Sequence, residues 1–492
     1  MTDSRITDRN SVAPAQGSGR WLALTILCLG VLMIVLDTTI VNVALPSIKA
    51  DLGFTETALA WVVNGYMLTF GGFLLLGGRL GDLFGHRRLF LIGLAVFTAA
   101  SLACGLAGSQ AFLVAARAVQ GLGGAVVSAV ALSLIMDLFT EPADRAKAMG
   151  VYGFVCAGGG SVGVLLGGLL TGTLSWHWIF LVNLPLGAAV FALSLMLLPA
   201  GRNEAAPRQL DIAGAVTVTA ALMLAVYAIV GGNEAGWTSG RTLGLLGGAV
   251  ALLAVFLVIE SRVSAPLMPL GLFRLRSLAV ANIVGILWAA AMFAWFFLSA
   301  LYLQQVLGYD PMEVGLAFLP SNLIMAAFSL GLSAKLVMRF GVRAPLGVGL
   351  LLAAAGLALF GWAPVDGSFT LHVLPGMLLL GLGAGMALNP LLLAAMSEVG
   401  PTESGLASGV VNTAFMMGGA LGLAVLASLA AARTGGLLAT GADRLVALVG
   451  GYQAAFLVGA CFAALGAVLG AALLRNPATA APDGAKAETV TP

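Results

Sequence analysis

Fourteen stretches of about 20 mostly apolar residues leave this chain few ways to fold, because a helix of that length spans the roughly 30 Å hydrocarbon core of a bilayer. They run over 21–45, 57–77, 89–107, 110–136, 148–170, 177–198, 212–232, 242–260, 278–306, 313–337, 345–362, 371–396, 405–431 and 451–474. Only 9% of the 492 residues are charged and 60% are hydrophobic, with a mean hydropathy of +1.04. A soluble domain carries about 25% charge, so this chain cannot coat a water-facing surface. The pattern predicts an all-α polytopic membrane protein. A count of twelve would require 212–232 and 242–260 not to cross, yet both are long and uncharged inside.

An even number of spans puts both termini on one side. With both termini cytoplasmic, the inner loops and tails carry 18 Lys and Arg against 4 outside, with Arg117 left within a span. That asymmetry is the positive-inside pattern. The tails 1–20 and 475–492 are rich in small and polar residues and read as cytoplasmic extensions. The first apolar run is too long for a cleaved leader and is expected to remain as a helix. Cys28, Cys104, Cys156 and Cys461 each fall in a different apolar run and read as buried thiols.

A weak internal repeat divides the chain. GGRLGDLFGHRR (77–88) aligns with SAKLVMRFGVRA (333–344), placing Phe84, Gly85 and Arg87 on Phe340, Gly341 and Arg343. Glycine clusters in the spans 110–136 and 371–396 match at nearly the same offset. The expected architecture is a six-helix half over 21–198, a linker with two inserted helices over 199–277, and a second six-helix half over 278–474. Such symmetry is a mark of secondary transporters, in which two halves rock about a central site.

Two ionisable residues fall deep within spans: Asp37 in the first and Arg117 in the fourth. From the helical rise, Asp37 lies about 12 Å and Arg117 about 10 Å from the same membrane surface. A charge there costs on the order of 3 kcal/mol or more and marks a cavity or a partner. One reading is a fixed ion pair locking two helices. The other is a proton-coupling site, since an apolar setting favours a protonated carboxyl and a nearby cation favours the carboxylate. Gly78, Asp82, Gly85, Arg87 and Arg88 form a tight turn with a central acid, suited to a latch or a plain basic anchor. Gly159, Gly163 and Gly167, followed by Gly168, form a small-residue face for close helix packing. Asn42, Trp295, Asn322, Asn389 and Asn412 are candidate cavity-lining residues. The second half lacks a deep acid other than Glu398 near a span end, and offers an apolar wall suited to a lipophilic substrate.

These stretches together resemble the major facilitator superfamily, specifically its fourteen-helix drug:proton antiporters, over nearly the whole chain. LDTTIVNVALP (36–46) resembles the first-span signature of that subfamily, and GGRLGDLFGHRR the superfamily's loop signature. RAVQGLGGA (117–125), with Arg117, Gln120 and Gly121, is similar to the fourth-span motif, whose Arg is implicated in proton coupling. GGSVGVLLGG (159–168) and SWHWIFLVNLPLG (175–187) resemble the fifth- and sixth-span signatures. There are departures: Val164 stands where the fifth-span signature usually has Pro, His177 where Arg is common, and Asn322 in a helix that carries an acid in some exporters of dications.

The resemblance implies a secondary active antiporter of the bacterial cytoplasmic membrane that exports hydrophobic drugs or antibiotics by alternating access. It implies no cofactor, the proton gradient as energy source, and protons, a small lipophilic substrate and membrane lipid as partners, with the monomer as the functional unit. An importer or facilitator of a small metabolite is the alternative. An intramembrane enzyme would need clustered catalytic groups, yet His86, His177 and His372 lie far apart in sequence. No nucleotide, metal or nucleic-acid motif is present.

Overall fold

The computed structural model describes residues 18–198, 211–264, 266–328, 332–399 and 404–474. Residues 1–17 and 475–492 of the tails and the 199–210 segment of the linker lie outside the described residues. Every regular element among the described residues is helical, as lipid requires of a spanning chain that does not close into a barrel. The first half comprises α1 (Ser18–Leu52), α2 (Glu56–Phe84), α3 (His86–Gly105), α4 (Gln110–Leu138), α5 (Pro142–Thr173), α6 (Trp178–Leu181) and α7 (Asn183–Leu197). Then come α8 (Ile212–Ala235) and α9 (Gly240–Arg262). The second half comprises α10 (Arg276–Leu301), α11 (Pro311–Ala327), α12 (Ser333–Phe340), α13 (Arg343–Phe360), α14 (Leu374–Met396), α15 (Ser404–Ala439) and α16 (Arg444–Leu473).

Twelve stretches among the described residues are helical, long and apolar enough to cross a membrane. Two further apolar helical stretches, Val162–Thr173 at the end of α5 and Pro311–Ala327, are shorter. The expected fourteen spans require these two to cross as well.

The halves repeat one packing scheme. In the first, α4 packs on α2 and α3, and α1 on α5; in the second, α14 packs on α11 and α13, and α10 on α15. The halves meet along α2–α15 and α5–α11. The aligned turns also match. Gly85 and Gly341 both adopt positive φ, +92° and +73°, which glycine tolerates without strain. Arg87 donates to the Leu195 carbonyl near the end of α7, and Arg343 donates through Nε to the Ala471 carbonyl near the end of α16 at 2.8 Å. Each cation thus meets carbonyls at a helix C-terminus, the favoured end for positive charge.

The inserted helices form a hairpin on the outside of this frame. α8 touches α2 and α15, one from each half, and Asn233 Nδ2 donates to the Ser428 carbonyl at 2.7 Å. α9 packs on α8 and leaves Val250, Val255 and Val258 exposed, as suits a lipid-facing helix.

Helices in lipid gain little from hydrophobic burial, so close approach of backbones carries much of their association. α5 shows this. A Cβ on Gly159 would meet Val35 Cγ1 at 2.9 Å, one on Gly163 the Leu36 carbonyl at 3.0 Å, and one on Gly167 the Ile40 carbonyl at 2.7 Å. Three successive turns therefore seat α1. Gly168 turns elsewhere: its Cβ would meet the Pro311 carbonyl at 2.6 Å, in the other half. Val164, buried between them, keeps α5 free of an internal proline. Gly167→Leu is expected to lower the thermal unfolding midpoint of the purified protein and its yield of monodisperse material. Gly172→Leu, with nothing within 4 Å of its Cβ position, should leave both near wild type on the same size-exclusion and thermal assays.

Candidate functional site

The site is built on α4, wedged between α2 and α3 by its glycines. A Cβ on Gly121 would collide with the Tyr66 carbonyl, and one on Gly123 would meet the Phe97 amide nitrogen at 2.6 Å. Thr69 Oγ1 adds a hydrogen bond to the Ala118 carbonyl at 2.8 Å. This contact is close enough for Arg117 to reach across to α2 and α1 at once.

Arg117 and Asp37 form a wholly buried ion pair, Nη1 to Oδ2 at 2.5 Å, with side chains 1% and 0% exposed. Arg117 Nε donates to the Val62 carbonyl of α2 at 3.0 Å, and Nη1 also donates to Gln120 Oε1 at 2.6 Å. Its guanidinium lies 4.4 Å from the Tyr66 ring centroid and 5.5 Å from that of Phe180. Both aromatic faces stabilise the buried cation.

Asp37 is held by donors alone. Besides Arg117 on Oδ2, its Oδ1 accepts from Gln120 Nε2 at 2.7 Å and from Asn183 Nδ2 at 3.2 Å. Ser101 Oγ of α3 accepts from the same two amides, at 2.8 and 3.4 Å, and donates to the Phe97 carbonyl at 2.8 Å. Cys104 Sγ lies 3.6 Å from Gln120 Oε1. Six helices, α1, α2, α3, α4, α6 and α7, thus converge on one carboxylate and one guanidinium. Such a pair is costly to bury, and removing one partner strands the other charge at about 3–5 kcal/mol.

The sequence places Asp37 and Arg117 at matching depth and Gln120 in the fourth-span motif, and the structure brings the three into one network. Ser101, Asn183, Tyr66 and Phe180 join it without having stood out as site candidates in the sequence. Asn183 and Phe180 lie in SWHWIFLVNLPLG, where an amide in an apolar span is the available signal; Ser101 leaves no periodic trace. Of the loop residues, Gly85 makes the turn, Arg87 docks on α7 and Arg88 is exposed. A Cβ at Gly78 would come 3.9 Å from Ala129, ordinary contact. The Asp82 side chain lies outside the described residues, and His86 Nδ1 sits 2.9 Å from Asp137 Oδ2.

The cavity candidates are spread over five helices, α1, α10, α11, α14 and α15. Asn42 bonds back to its own helix at the Thr38 carbonyl, and Asn412 to the Ser408 carbonyl. Asn389 is half-buried on α14. Trp295 and Asn322 are buried inside the second half, where Trp295 packs on Phe318 with centroids 6.1 Å apart. Cys28 and Cys104 are buried, whereas Cys461 on α16 is exposed, contrary to the expectation of burial. The Cys156 side chain lies outside the described residues. Among the described residues, no cluster of three or more His, Cys, Asp or Glu is placed to hold a metal.

The halves close on each other at the end that carries the turn between α1 and α2. Gln304 Nε2 donates to the Val43 carbonyl at 2.9 Å. Glu56 of α2 receives Lys49 Nζ at 2.5 Å and the Tyr452 hydroxyl at 3.1 Å, so one carboxylate ties α1, α2 and α16.

Residues 27–423 match the sequence profile of the Major Facilitator Superfamily. The chain belongs to that superfamily. It is 40% identical over 479 residues to the puromycin resistance protein of Streptomyces alboniger, covering 96% of this chain and 95% of that one. It is 41% identical to the cephamycin export protein of Amycolatopsis lactamdurans, over 84% and 86% of the two chains. Among solved structures, a bacterial homologue of the human lysosomal transporter Spinster, in an inward-facing unoccupied conformation, superposes with a TM-score of 0.64 at 17% identity, over 92% and 96% of the two chains. As a major facilitator protein, this chain is a multi-pass transporter of the cytoplasmic membrane and not an enzyme.

The network has a measurable weight. Ser101→Ala removes the oxygen that two buried amides share, and an unsatisfied buried polar group costs about 1–3 kcal/mol. The variant is expected to unfold at a lower temperature than wild type when both are purified in the same detergent and heated.

Proposed function

We propose that the protein exports hydrophobic drugs or antibiotics across the cytoplasmic membrane in exchange for protons, by alternating access of its two halves. The buried Asp37–Arg117 pair carries this reading: a titratable carboxylate and a fixed cation at the core of one half, with every donor aimed at the charged form. The relatives named for puromycin resistance and cephamycin export support the substrate class. In this reading α5 and α11 also cross, giving fourteen spans with both termini cytoplasmic. The residues 21–198 and 278–474 act as the rocking halves, and the monomer is the working unit in lipid.

The physical cycle follows from that arrangement. With the termini cytoplasmic, the Glu56 and Gln304 contacts lie at the outer end, and the state described is closed to the outside. When the halves rock and the outer end opens, water and protons reach the first half. Protonation of Asp37 neutralises the carboxylate and releases Arg117 from its charge partner, leaving it bonded to the Val62 carbonyl and Gln120. A cation without its counter-charge in lipid is unstable, so the protonated form favours a different packing of α1, α2 and α4. α2 also forms the interface with α15, and transmits that change to the other half. On return to the cytoplasmic side, the carboxylate re-forms against Arg117. Each inward proton supplies about 2.3 kcal/mol per 100 mV and about 1.4 kcal/mol per pH unit. The apolar, aromatic interior of the second half, with Trp295 and Phe318, suits a lipophilic substrate.

The alternative, facilitated uptake of a small metabolite, needs no proton site. Expression in an efflux-deficient host should raise resistance to at least one hydrophobic antibiotic, with puromycin as the first probe. Uptake of that drug into inverted vesicles should stop when a protonophore collapses the gradient. Asp37→Asn should abolish gradient-driven accumulation while leaving the protein in the membrane. Wild-type transport that ignores the protonophore would favour the facilitator.

A further inference from the structure

The sixth apolar span runs continuously from Trp178 to Leu197. α6 and α7 join at Val182, whose backbone is itself helical (φ −59°, ψ −25°) and whose N–H donates to the Trp178 carbonyl at 3.0 Å. Pro185 locally weakens this junction, since it has no N–H to return to the Leu181 carbonyl. Both sides of the junction reach the ion pair. Phe180, from α6, lies against the Arg117 guanidinium, and Asn183, the first residue of α7, donates to Asp37 Oδ1 at 3.2 Å. The segment is itself seated on α3. A Cβ on Gly187 would collide with Thr98 Oγ1, and one on Gly105 would meet Leu181 Cδ2 at 2.5 Å.

From this geometry we infer that Asn183 is a positioning residue that sets the proton affinity of Asp37, reading the carboxylate from the last helix of the half. This deepens the antiport reading and rests on it. Among the three side chains that donate to Asp37, Arg117 and Gln120 share one helix and are bonded to each other at 2.6 Å, so they move together. Asn183 comes from a different helix, whose end is tied to the basic turn through Arg87 and the Leu195 carbonyl. Its amide is oriented by Ser101 Oγ, and no hydrogen bond among the described residues reaches its Oδ1. It is therefore the donor whose distance changes when α7 shifts against α1. A donor to the charged form favours that form, so making or losing this one contact changes how readily Asp37 takes a proton.

The other groups around Asp37 do not duplicate this role. α4 supplies Arg117, α2 supplies Tyr66 and α3 supplies Cys104. α5 meets α1 through Gly159, Gly163 and Gly167. α10 and α11 carry one charged residue each, Arg276 and Glu313, both in the first turn.

The test needs no substrate. The protonated-carboxyl infrared band of the purified, lipid-reconstituted protein is titrated with pH, and the component absent from Asp37→Asn is assigned to Asp37. Asn183→Leu is expected to move the midpoint of that component up by about one pH unit, the worth of one hydrogen bond to a charged group. Asn183→Gln, which keeps an amide donor, should lie between the two, and Asn183→Ser serves if the Leu variant does not fold. The pH profile of drug export in vesicles should shift in the same direction. An Asp37 band whose midpoint is the same in wild type, Asn183→Leu and Asn183→Ser overturns the role of Asn183 and leaves the antiport reading standing. A wild-type protein with no titrating Asp37 band overturns both.

Discussion

A carboxylate and a guanidinium facing each other with no access to water impose the strictest condition in this structure. Neither charge is tolerable in an apolar bundle unless its remaining hydrogen-bonding capacity is also met. Arg117 therefore takes the Val62 carbonyl and Gln120 as well as Asp37, between two aromatic rings. Asp37 takes two amides on the oxygen that Arg117 leaves open. These partners lie on α1, α2, α4, α6 and α7, and Ser101 of α3 holds the two amides, so satisfying two charges ties together six helices of the first half.

Meeting that condition requires backbones to approach closely, and the glycines supply it. Gly121 and Gly123 admit α2 and α3 to α4, while Gly159, Gly163 and Gly167 admit α1 to α5. The same small residues that pack the half thus bring the charges within reach. The second half has the same helix arrangement without the charges. Trp295 and Phe318 pack on each other in its interior, with ring centroids 6.1 Å apart. The two halves share a fold and a turn geometry at Gly85 and Gly341, and divide the chemistry between them.

Several of these features are legible in the order of residues along the chain. The repeat at 77–88 and 333–344 marks the two turns, and both appear as positive-φ glycines followed by a helix whose Arg caps a distant carbonyl. The glycine spacing on α5 predicts a packing face, and the structure supplies its partner, α1, with Gly168 turned instead toward the other half. Cys461 lies in an apolar run and is expected to be buried on that ground, but in a membrane protein an apolar residue is equally at home facing lipid. Hydropathy alone does not separate the two. The network partners Ser101 and Asn183 are not legible, since a single serine or amide in a span has the same sequence appearance whether it serves a charge or bonds to its own helix, as Asn42 does.

What the sequence determined by itself is the solvent and the secondary structure. Long apolar runs with so little charge demand helices in lipid, because no other open arrangement satisfies the backbone there. It also determined which charges are exceptional, since Asp37 and Arg117 stand out against their runs. The tertiary structure alone decided which groups share those charges. Helix packing chose Gln120, Ser101 and Asn183, set Phe180 and Asn183 of the sixth span against the pair, and joined the ends of the halves through Glu56. The reason is that periodicity along a chain reports which face of a helix is special, whereas a hydrogen-bond partner is set by distances between helices far apart in sequence.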